Sequence, residues 1–312
     1  MSQFSAILPN YNDADLLPQA IQSLLQQSEP FTEIIIVDDG STDRSVEIIH
    51  QFMQQHRQIR LIKHATNQGV SVALNTGIEA AKGDYLLLCA ADDVYHSHII
   101  AMAKPILNAY PSVGLICGNA IVKRFDLAKA FHRCLPYPAN TFISPTAFCT
   151  FANHRYVGFN GGGGMLMNRQ AVLEAGSLQP ALRWHSDWLL YFTLAFRHGI
   201  YYVDEDFVTI TMRQNSYSEG KEQWNVQKKV MLHFFEWLEQ SDKKLQDNFK
   251  NSALLPHYSP RYIPLFLWNI KARRFMTHRL LWKLFINNKF ITRLGRLFPY
   301  RIILQARRLL RA

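Results

Sequence analysis

The sequence predicts an α/β fold: a Rossmann-like, mostly parallel sheet with helices on both faces, followed by a helical, basic C-terminal appendage. Three observations predict it. Short, near-continuously apolar runs alternate with stretches whose apolar residues recur at helical spacing. Polar, mostly acid-rich clusters end three of the apolar runs, at 9–13, 38–41 and 92–93. Beyond residue 255 the chain carries thirteen Lys or Arg and no acid, against a net charge of +10 for all 312 residues. Subtracting thirteen from +10 leaves the rest near −3, so the basicity belongs to the tail. The natural division is 1–220 and 221–312.

Phe4–Pro9 is apolar and reads as the first strand, followed by the polar loop Asn10-Tyr11-Asn12-Asp13. Leu16, Leu17, Ala20, Ile21, Leu24 and Leu25 fall at helical spacing, with Pro18 tolerated in the first turn. Glu33–Val37 is continuously apolar after its first residue, as parallel strands buried on both faces are. It runs into Asp38-Asp39-Gly40-Ser41, and Ser41 or Thr42 is placed to cap a helix carrying Val46, Ile49 and Phe52 inward. Ile59–Ile62 is a third strand and Asn67-Gln68-Gly69 a turn. A helix with Ala73, Leu74, Gly77, Ile78 and Ala81 inside leads through Lys82-Gly83 to the strand Tyr85–Cys89. That strand ends on Asp92 and Asp93. The stretch Phe131–Phe159, with Pro136, Pro138 and Pro145, reads as a long irregular connection.

In doubly wound sheets, ligands bind beyond the carboxyl ends of the strands. Pro9–Asp13, Asp38–Ser41 and Asp92–Asp93 all fall at such ends, so a site is expected there. Adjacent acids after a buried strand repel each other and call for a cation; hard carboxylate oxygens suit Mg²⁺ or Mn²⁺ shared with phosphates. A dinucleotide site is excluded, because the first strand is followed by LPNYND and not by a glycine-rich turn. Four cysteines without a CxxC pair exclude a zinc ribbon or disulfide framework and fit a reducing compartment. The start MSQFSAILPNYN has no basic segment followed by a long apolar one, and no apolar run approaches a membrane span. The expected location is cytoplasmic, with peripheral attachment to the inner face of the cell membrane.

Taken together, ILPNYND (7–13), IIIVDDGSTD (34–43), NQGVSVALNTGIEAAKGDYLLL (67–88) and ADD (91–93) resemble the family 2 glycosyltransferases. These are inverting nucleotide-sugar transferases of GT-A fold. The continuation NGGGGMLMNRQAVLEAGSL (160–178) is similar to the family's acceptor-side strand and helix. HSDWLLYFTLAFRHG (185–199) is similar to the helix that carries its catalytic acid.

The resemblance implies a role for each matching residue. Pro9 and Tyr11 would line the nucleotide pocket, with Asn12 or Asp13 near the base. Asp38 and Asp39 would bind the nucleoside, one accepting a uracil N3–H. Lys82 and Gly83 would shape the turn beneath the diphosphate. Asp92 and Asp93 would hold ribose and metal, and Arg213 would sit near the diphosphate. Asp187 would be the general base. Gly162, Gly163, Trp184 and Trp188 would face the acceptor. The implied cofactor is Mn²⁺ or Mg²⁺; the implied partners are a nucleotide-sugar donor and a glycan or lipid-linked acceptor.

The sequence also departs from the family pattern. Ala90-Ala91-Asp92-Asp93 stands where Asp-x-Asp-Asp is common, Leu74 where an Arg is common, and Ser186-Asp187 where Glu-Asp is common.

Plainer readings exist for each motif. Asp38-Asp39 could be a turn with a helix cap, Asp187 a charge favourable to a helix dipole, and Gly161–Gly164 a tight strand entry. At the level of function, the alternative is a non-catalytic nucleotide- or glycan-binding relative. In the tail, Ile302, Ile303, Ala306, Leu309 and Leu310 lie on one side of a helix and Arg301, Arg307, Arg308 and Arg311 on the other. That pattern suits an anionic membrane surface. Nucleic acid is not expected, since no recognition motif accompanies the charge.

Overall fold

A computed structural model describes residues 2–124, 130–154, 157–161, 163–212, 224–252, 254, 269–275 and 277. The chain divides into two compact units, 1–150 with 157–230, and 151–156 with 231–312.

In the first unit, β1 (Phe4–Asn10), β2 (Glu33–Asp38), β3 (Ile59–Lys63) and β4 (Tyr85–Leu88) alternate with α1 (Leu17–Leu25), α2 (Ser45–Gln55) and α3 (Val70–Ala80). They are followed by β5 (Val94–Tyr95), α4 (Ile99–Ala109), β6 (Leu115–Arg124), β7 (Ala130–Arg133), β8 (Thr141–Ile143) and α5 (Pro145–His154). β9 (Met165–Asn168), α6 (Arg169–Glu174), α7 (Ser186–His198) and β10 (Ile200–Met212) complete the described sheet and its helices. The spatial order is β3-β2-β1-β4-β9-β6-β10-β5, with β7 on β6 and β8 on β10.

The pairing is parallel through β3-β2-β1-β4 and again between β6 and β10. β9 runs antiparallel to both β4 and β6, which makes the sheet mixed. The βα alternation of the first ninety residues forces parallel neighbours. β9 is threaded between β4 and β6 from later in the chain, so no local pattern announces its direction.

Both faces of β1 are buried, which is why its sequence is apolar throughout. Phe4, Ala6 and Leu8 join Leu17, Ile21, Ile49, Ile99 and Ala103 in one core that covers one face. On the other face α3 approaches Ile7 and Val37 through Gly77. Each fully buried Leu or Ile here contributes about 1.5–3 kcal/mol.

Residues 131–159 are more regular than their prolines suggest. Pro145 stands at the first position of α5, where a missing N–H costs nothing. The sequence there lacks a long apolar run because β7 is exposed and β8 spans three residues. Phe148 of α5 meets Phe159, Phe192 and Phe196, so the aromatics build a core.

The described part of the second unit is helical. Phe234 packs edge-on to Phe249, Phe235 stacks on Phe275, and Arg274 pairs with Glu239. The tail helix expected at 300–312 lies outside the described residues. Among the described residues no helix is long and apolar enough to cross a membrane.

Candidate active site

The carboxyl edge of β1, β2 and β4 gathers the predicted acids. In register Asn10 stands beside Asp38, and Asn10 Nδ2 donates to Asp38 Oδ1 at 2.9 Å and to Ser41 Oγ at 3.1 Å. The Ser41 N–H donates to Asp38 Oδ2 at 3.1 Å. Asp39 is 3 % exposed and fully engaged: His64 Nδ1 and the Gln68 N–H meet Oδ1 at 2.7 and 3.0 Å, while the Gly69 and Gln68 N–H groups meet Oδ2 at 2.7 and 3.1 Å. Four contacts fill the acceptor sites of a carboxylate. Asp39 therefore braces the end of β2 against the loop that opens α3.

Ser41 and Thr42 do not cap α2. That helix starts at Ser45, whose N–H is taken by Asp43 Oδ1 at 2.9 Å. Ser41 Oγ instead accepts the Asn12 N–H at 3.0 Å, and Asn12 Oδ1 accepts the N–H groups of Thr42 and Asp43 at 2.8 and 3.3 Å. Asn12 adopts φ 55°, a left-handed conformation that asparagine tolerates. The loops at 10–13 and 39–43 are thus locked together. Pro9 is buried beneath them, and the Asp13 carbonyl accepts the Leu16 and Leu17 N–H groups at the start of α1. Tyr11 is 45 % exposed, an aromatic ring at the rim of the site.

β4 delivers the chain to Ala90, where a turn begins. The Asp93 N–H reaches the Ala90 carbonyl at 3.3 Å, and the Thr211 N–H donates to Asp93 Oδ1 at 3.1 Å. Asp93 is buried at 3 % exposure, while Asp92 is half-buried. The donor chemistry suits a hard divalent cation. Among the described residues, however, no group of three His, Cys, Asp or Glu could hold one. Two carboxylates alone would leave such an ion most of its coordination positions for other oxygens.

Asp187 lies in the first turn of α7, where its charge suits the helix dipole; its Oδ1 accepts the Trp188 N–H at 2.6 Å. Asp187 Oδ2 is 3.5 Å from the point a Cβ would occupy on Gly161. Ser186 Oγ accepts the Gln179 N–H at 2.6 Å and fixes the entry to the helix. Ahead of it Arg183 takes φ 50°, ψ −123°, with its guanidinium 5.8 Å from the centre of the Trp184 ring.

Two tyrosines close to these acids in the chain are buried. Burial raises the Tyr191 hydroxyl well above its usual range, and the charge of Asp187 pushes the same way. Burial raises Tyr95 likewise, helped by the charge of Asp93. Burial also pushes the Cys89 thiol far up, which removes it as a nucleophile.

Gly163 (φ 84°) sits against the Tyr95 ring, since a Cβ there would stand 2.3 Å from Tyr95 Cε1. Trp188 packs on Phe192 with ring centres 4.8 Å apart, and both Trp184 and Trp188 are half-buried.

The structure does not bring Lys82 and Gly83 to this edge. The Lys82 N–H donates to Glu33 Oε1 at 2.6 Å and the Gly83 N–H to Ser5 Oγ at 2.9 Å. Ser5 and Glu33 pair at the amino ends of β1 and β2. A residue just before a parallel strand lies at the amino edge, opposite the acids, so these two cannot underlie a diphosphate bound at the carboxyl edge. Gly162 and Arg213 lie outside the described residues.

Sequence reasoning passed over Asn10, His64, Tyr95 and Tyr191. Asn10 stands inside ILPNYND and Tyr191 inside the stretch 185–199, one helical turn after Asp187. Tyr95 falls two residues past the last acidic motif, and His64 carries no local signal, because its partner Asp39 becomes a neighbour only on folding.

The model of glycosyl transferase family 2 matches residues 5–174. An uncharacterized glycosyltransferase of Haemophilus influenzae is 43% identical over 93 residues, covering 30% of this chain and 37% of its own. Glycosyltransferase GlyG of Streptococcus pneumoniae is 38% identical over 96 residues, covering 31% and 32%. The matched stretch thus spans about a third of these curated relatives. The crystal structure of Staphylococcus aureus TarS 1–349 with UDP-GlcNAc aligns at TM-score 0.59 and 15% identity, covering 91% of this chain and 79% of that one. The mannosyltransferase PcManGT of Pyrobaculum calidifontis, with GDP-Man and Mn²⁺, aligns at TM-score 0.55 and 16% identity, covering 99% and 78%. At such identities the structural likeness establishes the fold, and the family model supplies the rest: the chain belongs to glycosyl transferase family 2.

Proposed function

We propose that the protein is an inverting glycosyltransferase. It moves a sugar from a nucleoside-diphosphate sugar, in our reading a UDP-sugar, to a glycan or lipid-linked acceptor in cell-surface polysaccharide synthesis. The observation that carries this reading is the placement of an exposed ring (Tyr11) and an acidic turn (Asp92-Asp93) at the carboxyl ends of β1 and β4, with Asp187 near Gly161, ahead of the strand β9 that enters at that edge. Ligands of similarly folded proteins support the donor class: UDP-GlcNAc in TarS, and GDP-Man with Mn²⁺ in PcManGT.

The base of the donor stacks on Tyr11. Of the two buried acids, Asp39 has its oxygens filled, whereas Asp38 receives two donors and keeps acceptor capacity for an imino N–H. Asp92, with Asp93 behind it, would hold the divalent cation. Bound there, such a cation supplies charge neutralisation to the departing nucleoside diphosphate.

Asp187 accepts the proton of the acceptor hydroxyl as its oxygen bonds to the anomeric carbon and the bond to the diphosphate breaks. Attack comes from the face opposite the leaving group, so the configuration inverts. Gly161 leaves the Asp187 carboxylate approachable on the acceptor side, and Trp184 offers an apolar surface to a sugar ring. The run of thirteen basic residues beyond 255 would hold the protein on an anionic membrane, near a lipid-linked acceptor.

The test is donor turnover with Mn²⁺ over a panel of nucleotide sugars, for wild type and Asp187→Asn. The substitution is expected to lower transfer about 10²–10⁴-fold while donor affinity stays within about threefold, since only proton transfer is removed. A wild type inactive with every donor, or an Asp187→Asn variant as active as wild type, overturns the proposal.

A further inference from the structure

We infer that Tyr95 is a positioning residue for the acidic turn: its hydroxyl clamps the backbone of Ala90, and through it fixes where Asp92 and Asp93 present their oxygens. The inference rests on the proposed function insofar as the turn is taken to bind a cation and a diphosphate.

The hydroxyl bonds both backbone groups of one residue, with the Cys89 side chain as a further neighbour. It accepts the Ala90 N–H at 2.7 Å and donates to the Ala90 carbonyl at 3.2 Å. The same carbonyl receives the Asp93 N–H at 3.3 Å, the bond that closes the turn. Ala90 has no side chain that could hold the turn itself, so Tyr95 supplies the polar anchor from inside the protein.

The ring is fixed as firmly as its hydroxyl. Tyr95 is 3 % exposed, its N–H donates to Ser23 Oγ at 3.1 Å, and it pairs with Val208 across β5 and β10. Gly163 leaves no room for a side chain against the ring, as its Cβ would lie 2.3 Å from Cε1. The glycine-rich segment ahead of β9 therefore sets the ring, and the ring sets the turn. Asp187 lies near Gly161, its Oδ2 3.5 Å from where a Cβ would stand there.

The decisive variant is Tyr95→Phe, which keeps the ring and deletes the hydroxyl. The expected result is about a tenfold rise in the Mn²⁺ concentration for half-maximal turnover and in donor KM, the size expected when a buried N–H loses its partner. At saturating Mn²⁺, kcat stays within about threefold, because Asp187 is untouched. Amide exchange in the peptide covering residues 89–94 speeds up about tenfold, and Tm falls by roughly 2–4 °C, the size of one lost hydrogen bond. Gly163→Ala, which pushes on the ring, is expected to shift the same constants in the same direction.

Unchanged exchange together with unchanged Mn²⁺ and donor constants overturns the inference. So does a joint fall of kcat and Tm with the Mn²⁺ constant fixed, which marks an ordinary core residue. A wild type whose turnover ignores Mn²⁺ removes the cation from the proposed function instead. The clamp is then decided by exchange alone, acceleration in Tyr95→Phe supporting it and none refuting it.

Discussion

Asp93 Oδ1 accepts the Thr211 backbone N–H at 3.1 Å, joining the acidic turn to β10 across 118 positions of sequence. This contact divides the labour between two adjacent acids that look equivalent in the sequence. Asp93 is buried and ties the turn to the sheet; Asp92 is half-buried.

Substituting the two acids should therefore give different phenotypes. Asp92→Asn is expected to lower Mn²⁺-dependent turnover by about 10²-fold or more, as loss of an electrostatic partner of the transition state does, with Tm unchanged. Asp93→Ala is expected to destabilise by about 1–3 kcal/mol, the cost of a buried donor left unpaired. Asp93→Asn can keep a carbonyl oxygen on Thr211 and should recover most of that stability. Thermal melts and Mn²⁺ titrations on the three variants check the division; equal losses of Tm for Asp92→Asn and Asp93→Ala would refute it.

Asp39 makes a second, independent case. Its oxygens accept from His64, Gln68 and Gly69, and His64 Nε2 in turn meets Thr76 Oγ1 at 3.0 Å. Asp39→Asn puts an amide where only acceptors fit, facing backbone donors that cannot turn away. We expect a loss of about 2 kcal/mol or more in chemical denaturation. His64→Gln, which can still donate to Asp39, should lose less. The reverse order would mean that His64, not the loop amides, carries the brace.

Most of this architecture was legible because it is local. The four parallel strands, the helices between them and the acids at the strand ends follow from apolar runs and helical spacing in the first ninety residues. β9 was legible as a strand, but not its antiparallel place between β4 and β6, which long-range pairing decides. The site was half legible. Of the proposed site residues, Asp38, Asp92 and Asp187 announce themselves by motif, and the strand order sets the ends of β2 and β4 on either side of β1. Lys82 and Gly83 misled because a motif is linear. They adjoin the strand that delivers the acids, yet a strand has two ends, and they stand at the wrong one. The Tyr95 hydroxyl was invisible as a clamp, since its value lies in reaching back to Ala90.

The amino edge offers a pH test separate from function. Burial raises the pKa of Glu33, but hydrogen bonds from the Lys82 N–H, Ser5 and Arg60, with the charge of Arg60, outweigh it and hold the carboxyl below its ordinary 4.5. A carboxyl with a depressed folded pKa stabilises above its unfolded pKa, and that contribution is lost as pH falls through the folded one. Wild-type stability should therefore drop below about pH 4.5 partly through Glu33. Glu33→Gln should melt earlier at pH 7, with a shallower acid decline. Parallel pH–Tm curves for the two proteins would show that Glu33 is not a contributor.

The basic tail yields the last prediction. Arg307 and Arg308 lie on the polar side of the helix expected at 300–312, opposite Ile302, Ile303, Ala306, Leu309 and Leu310. A basic residue near an anionic bilayer contributes about 1 kcal/mol. Changing both to Gln should thus weaken partitioning onto phosphatidylglycerol vesicles about thirtyfold at low salt. Raising the salt should weaken wild-type binding as well, since the attraction is screened within a Debye length. Cosedimentation of the full chain measures both effects. Equal binding to neutral vesicles would assign retention to apolar insertion alone. Retention on RNA at physiological salt, with none on vesicles, would turn the tail into a nucleic-acid contact and sever it from a lipid-linked acceptor.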